Sequence, residues 1–202
     1  MPNHLLTATV LLLTLSSLAK AQAQEDAQHS FARCAQCHGQ QGWGDEEKRV
    51  PAIAGLPAAY LLRQFEAYRA DTRKEQRMHR EAVSDRQDLA EVANLISLLT
   101  PLRPVKQGPS DPGRGQRILL DLCAECHGNA GEGKPDRGAP PLTGFQAWYV
   151  TDQIRRFKEF DRTTSSGSLD ADRMHAIAYK VISLEDAEDV AAFLATARTS
   201  QN

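Results

Sequence analysis

Aromatic residues are scarce in this 202-residue chain, at 6%. That is thin filling for a domain of about 80 residues, whose own apolar burial is marginal. Four cysteines are too few for a disulfide-dense scaffold. Neither charge prevails: 24 Lys and Arg against 26 Asp and Glu leave −2, which excludes a general nucleic-acid binder, since that needs a basic excess. Long apolar runs are missing but for one, Leu5 to Ala19. As a helix it reaches roughly 22 Å at about 1.5 Å per residue, short of a hydrocarbon core of about 30 Å. Small residues follow, with A-x-A patterns ending at Ala21 and Ala23. Residues 1–23 therefore read as a secretory signal peptide, although no Lys or Arg precedes the run. The mature chain is expected to be exported and soluble, with no other segment able to span a membrane.

What is present is a duplication. Shifting the second half by 89 residues puts Cys34, Cys37 and His38 on Cys123, Cys126 and His127. The same shift matches Gly39, Gly42 and Gly44 with Gly128, Gly131 and Gly133, and Pro51, Gly55, Tyr60 and Gln64 with Pro140, Gly144, Tyr149 and Gln153. Further on, Arg77-Met78-His79 meets Arg173-Met174-His175 only with a shift of 96, so seven residues enter the second copy within 158–173. A unit of this length is a domain, not a solenoid module. Pro101, Pro104, Gly108, Pro109, Pro112 and Gly113 crowd a linker between the copies. The domains are placed at 24–105 and 106–202.

The pattern within each copy is helical. Leu56 to Arg69 carries an apolar stripe at Leu61, Leu62, Phe65 and Tyr68, with Pro57 near its start. Gln146 to Phe160 repeats it with Tyr149, Val150, Ile154 and Phe157. Capping boxes, Ser84 with Gln87 and Ser183 with Asp186, head a last helix in each copy. Short helices lead into each cysteine pair, clearest at Arg114 to Leu122. No alternation marks a strand, so the fold is expected to be all-α.

The chemistry lies in Cys34-Ala35-Gln36-Cys37-His38 and Cys123-Ala124-Glu125-Cys126-His127. Each fits the c-type haem attachment pattern: two thiols form thioethers with the porphyrin vinyl groups, and the next histidine becomes the proximal iron ligand. A zinc ribbon places its cysteine pairs about 15–20 residues apart, whereas Cys37 and Cys123 stand 86 positions apart. A thioredoxin-type pair needs a preceding strand, and adjacent C-x-x-C disulfides staple almost nothing. Two covalent haem c groups also supply the apolar mass that the few aromatics do not.

Beyond Met1 the chain has only Met78 and Met174, one per copy; both are candidate distal ligands. His79 and His175, next door, compete for that role. The proximal histidines need an acceptor for the second ring nitrogen, and Pro51 and Pro140, each 13 residues on, are placed to offer a carbonyl, with Ala52 and Pro141 as near alternatives. Arg77 and Arg173 are candidate partners of the haem propionates. The cluster Arg69, Arg73, Lys74, Arg77 and Arg80, interrupted by Asp71 and Glu75, reads as an ordinary mixed-charge surface. His29 receives no role.

The order CxxCHGxxGxG, P-x-[IL]-x-G, Y-[LV]-x-x-Q, a methionine and a capped final helix, present twice, closely resembles the dihaem cytochromes c4 over essentially the whole mature chain. The resemblance implies two class I cytochrome c domains about a pseudo-twofold axis, with His38 and Met78 on one iron and His127 and Met174 on the other. It also implies a periplasmic protein, at most peripherally attached to a membrane, that is not itself an enzyme. Its expected partners are redox proteins: a terminal oxidase, a quinol-oxidising complex or a flavoprotein dehydrogenase. The competing class is a dihaem subunit of a larger oxidoreductase, such as a flavocytochrome c sulfide dehydrogenase.

Overall fold

A computed structural model of the chain describes residue 29 and residues 31–83, 89–102, 109–162, 169–180 and 183–197. The leader 1–23, the Ser84–Gln87 capping box, Pro104 and Gly108 of the linker and residues 163–168 of the insertion lie outside the described residues.

The duplication is written into the backbone. Left-handed φ angles occur at Gly39, Gly42, Gly44, Arg49, Gly55 and Asp71, and recur 89 residues on at Gly128, Gly131, Gly133, Gly138, Gly144 and Phe160. The first copy holds α1 (31–38), α2 (Ala58–Arg69), α3 (Gln76–Val83) and α4 (Leu89–Leu98). The second holds α5 (Pro112–Leu122), α6 (Ala124–His127), a 3-10 turn at Pro135–Arg137, α7 (Ala147–Lys158), α8 (Leu169–Ala178) and α9 (Leu184–Ala197). Among the described residues β structure is limited to isolated bridges. Two of them, Asp45 with Val50 and Lys134 with Ala139, are repeat equivalents closing the loop after each attachment motif. The fold is all-α, as the sequence implied.

Helices α2 and α7 start and stop within two residues of the ranges expected from their stripes. Helix α5 begins earlier than expected, because the Asp111 carboxylate accepts from the Gly113 and Arg114 N–H groups and Pro112 needs no such partner. The second predicted capping box is formed: Ser183 N–H donates to Asp186 at 2.9 Å, and Asp186 N–H to the Ser183 hydroxyl at 3.1 Å. Helices α5 and α9 pack together, and a Cβ at Gly115 would stand 1.9 Å from the Asp189 carbonyl oxygen. Only glycine permits that approach. Arg114 then forks to Asp186 and Asp189, joining the two helices at that end.

The first core gathers Phe31, Leu56, Leu61, Val92 and Ile96 around α1, α2 and α4, together with Phe145 from the second copy. The second gathers Leu119, Ala124, Val190 and Leu194, and Val150 packs against both. The domains thus share a packed apolar boundary. No described helix is long and apolar enough to cross a membrane.

Candidate functional site

Cys34 and Cys37 stand one turn apart at the end of α1, with His38 as its last residue. His38 is 8% exposed and His127 5%. Each imidazole donates its Nδ1–H to a backbone carbonyl 13 residues on, Pro51 for His38 and Pro140 for His127, both at 2.8 Å. These are the acceptors expected from the spacing. Burial holds both imidazoles below their ordinary pKa, outweighing the opposing effect of the carbonyl bond. Each is therefore a neutral ring with one nitrogen fixed and Nε2 left to coordinate. The loop between histidine and proline is tight. Gly44 N–H donates to the His38 carbonyl at 2.8 Å, and a Cβ there would lie 2.3 Å from the Val50 carbonyl oxygen.

None of the four cysteines is paired in a disulfide. Burial, then the neighbouring Cys126, pushes the Cys123 thiol up to about 11. Beside Cys34 and Cys37 lies a cavity of about 450 Å³, and Cys34, Cys37, His38 and Met78 all line it. Leu61, Phe65, Val92 and Ile96 give it apolar walls, while Phe145, Trp148 and Tyr149 close it from the second domain. Two thiols, a neutral imidazole, a thioether and flat apolar walls are the donor set and surface that a covalent haem requires.

The two competing histidines are each fixed through Nδ1 as well, which leaves Nε2 uncommitted. His79 donates Nδ1–H to the Tyr68 carbonyl and His175 to the Phe157 carbonyl, both at 2.7 Å, and Tyr68 and Phe157 are themselves repeat equivalents. His175 also stacks on Phe160, ring centres 3.8 Å apart. Met174 sits half-buried on α8, the counterpart of Met78 on α3.

Of the charged cluster, Arg77 is exposed and 3.9 Å from Glu75, and Arg173 is exposed as well. Arg73, by contrast, is only 7% exposed, so the expectation of an ordinary surface fails at that residue. Its guanidinium donates to Gln64 at 2.7 Å, to the Tyr149 hydroxyl at 2.5 Å and to Gln153 at 3.3 Å. Arg162 mirrors it, donating to Gln153 at 2.8 Å and to Gln64 at 2.9 Å. Burial and the like charge of Arg73 pull the Arg162 guanidinium below its ordinary pKa. Burial alone would raise the Tyr60 hydroxyl, yet Arg162 and Arg73 hold it below its usual value. The signal for this network was available: the shift that pairs Gln64 with Gln153 also pairs Arg73 with Arg162. Their backbone bridge shows that the insertion starts after Arg162.

Residues 24–99 and 113–198 each match the family model for cytochrome c. Cytochrome c4 of Pseudomonas aeruginosa is 32% identical over 89% of this chain and 92% of its own length. A protein of Stutzerimonas stutzeri named thiosulfate dehydrogenase electron acceptor is 28% identical over 79% of this chain and 80% of its own. The crystal structure of reduced recombinant cytochrome c4 from Pseudomonas stutzeri superimposes with a TM-score of 0.68 at 28% identity, covering 84% of this chain and 96% of that one. Two attachment loops on one backbone plan, docked across a shared boundary, thus recur at full length in known dihaem proteins, and the chain belongs to the cytochrome c family as an electron-transfer protein of the c4 type, carrying two covalent haem c groups.

Proposed function

We propose that the chain is an exported, periplasmic electron carrier whose irons are held by His38 and Met78 in the first domain and by His127 and Met174 in the second. The observation that carries this reading is Met78, which lines the cavity with Cys34, Cys37 and His38, whereas its neighbour His79 is not among the lining residues. Haem supplies the chemistry, a reversible one-electron change at iron. The chain holds the proximal imidazoles neutral and oriented, and Met78 and Met174 would supply a thioether as the second protein ligand of each iron. A thioether opposite histidine favours ferrous iron and so gives a high potential. The donors and acceptors are redox proteins; a quinol-oxidising complex upstream and a terminal oxidase downstream suit such a potential.

Spectra of single variants test the ligands. Met78→Ala and Met174→Ala should each remove the sulfur-to-ferric-iron charge-transfer band of one haem, while His79→Ala and His175→Ala leave both bands. Retention of both bands in Met78→Ala would assign the first iron another ligand.

A second reading, an acceptor held by a dehydrogenase, is favoured by one feature. Phe160 and Tyr179, 56% and 70% exposed, flank His175 as an aromatic group one residue from Met174. An exposed aromatic group beside the distal methionine suits a partner that covers it, and the Stutzerimonas stutzeri relative is named as an electron acceptor of thiosulfate dehydrogenase. Native size-exclusion of a periplasmic extract, recording haem and flavin absorbance, separates the two. Haem eluting alone near the mass of one chain supports the free carrier. Haem co-eluting with flavin at a larger mass supports the bound acceptor.

A further inference from the structure

Among the described residues one buried side-chain polar atom has no hydrogen-bond partner, the indole Nε1 of Trp148. A buried donor left unpaired is costly, so such an orphan calls for an acceptor that completes it. Trp148 belongs to α7 of the second domain, yet it lines the cavity beside Cys34, Cys37 and His38 of the first. Its ring is held in place: the Arg49 guanidinium lies 4.3 Å from the ring centre, and Tyr149 meets it edge-on at 5.5 Å. The nearby carboxylate, Asp152, is already engaged by Arg155 and Arg156.

The charge of the cavity points to the acceptor's sign. Seven Arg or Lys residues line it against three carboxylates, an excess that suits an anionic guest. A haem c group brings two carboxylates, its propionates.

The repeat has no equivalent of this arrangement. Trp148 corresponds to Ala59, which is exposed, and Arg49 corresponds to Gly138. Arg49 keeps the left-handed backbone of its counterpart, φ 56° against 67°, although a side chain makes that conformation unfavourable. The strain is tolerated where the guanidinium covers the indole.

We infer that Trp148 donates its indole N–H to a propionate of the haem attached at Cys34 and Cys37, so that the first haem is anchored by the second domain through a donor its twin lacks. The inference rests on haem attachment in the first domain and not on which residue is the sixth ligand. A donor on a propionate offsets part of its negative field, which favours the electron on that iron. Trp148 is thus a positioning and tuning residue that makes two otherwise similar haems unequal.

Trp148→Phe in the haem-loaded full chain keeps the ring and removes the donor. Each haem is followed through a redox titration by its own paramagnetically shifted methyl resonances. The electron-sharing equilibrium should move about threefold away from the first haem, ~28 mV at ~59 mV per decade for one electron. In reduced wild-type protein the Trp148 indole N–H should resist exchange into deuterated water. Equal shifts of both haems, no shift, or a freely exchanging indole proton would each overturn the assignment.

Discussion

Arg73 and Arg162 lie opposite each other in an antiparallel backbone bridge across the domain boundary, and the Gln64 side-chain oxygen accepts from both guanidiniums. The Gln153 oxygen does the same from the other side. Two cations thus sit side by side among amides and phenols. Like charges in partly desolvated surroundings are unfavourable unless anionic density compensates them, and the boundary is common to both haem domains.

Arg162→Gln should therefore lower both midpoint potentials, because a cation at the boundary of the two haem domains favours the state with the extra electron in each. A partly screened unit charge of this kind is worth on the order of 1 kcal/mol at an effective dielectric of about 20, about fivefold in electron affinity. Spectroelectrochemical titration of the variant reads both haems. A fall confined to the second haem would mean that the charge serves its own domain only.

Asp152 supplies an acid-side prediction. Burial alone would raise its carboxyl, but hydrogen bonds and charge from Arg155 and Arg156 outweigh burial and hold it below the ordinary 3.8. A group with a lower value folded than unfolded contributes stability that is complete above the unfolded value and is lost as the pH falls through the folded one. Asp152→Asn should cost at most about 1 kcal/mol at neutral pH, since the partner Arg155 is solvent-screened. The gap from wild type should close between the ordinary carboxylate range and more acid solution. Urea midpoints at neutral pH and at about pH 2.5 check this; a gap that widened in acid would contradict it.

What could be read in advance followed from local spacing. The attachment motifs, the helical stripes of α2 and α7, the Ser183–Asp186 box and the Pro51 and Pro140 acceptors all depend on residues near one another in sequence. Arg73 did not yield to that logic. It stands among Arg69, Lys74 and Arg77, where the solvated reading is usually right, and its burial depends on Gln153 and Tyr149 from the other copy. Trp148 and Gln146 escaped for a related reason: repeat comparison draws attention to matches, whereas these two face Ala59 and Pro57. Docking of unlike residues across a pseudo-twofold leaves no period in the sequence.

Gln146 carries the last prediction. It is buried, accepts from the Ala52 N–H at 3.0 Å and donates to the Trp43 carbonyl at 2.9 Å, so one side chain of the second domain pins two points of the first-domain loop. Ala52 directly follows Pro51, whose carbonyl orients His38. Gln146→Leu keeps comparable bulk but strands a buried N–H and a carbonyl, at about 1–3 kcal/mol for each group left unsatisfied. The two groups together come to about 2–6 kcal/mol, and with about 2–4 °C lost per kcal/mol in a chain of this size the first domain should melt about 4–24 °C lower. Calorimetry of the haem-loaded protein should show a lower-temperature transition separating from that of the second domain. An unchanged melt would mean that water replaces both bonds and that the other contacts across the boundary, the Arg73–Arg162 bridge and the Phe145 packing among them, suffice to couple the domains.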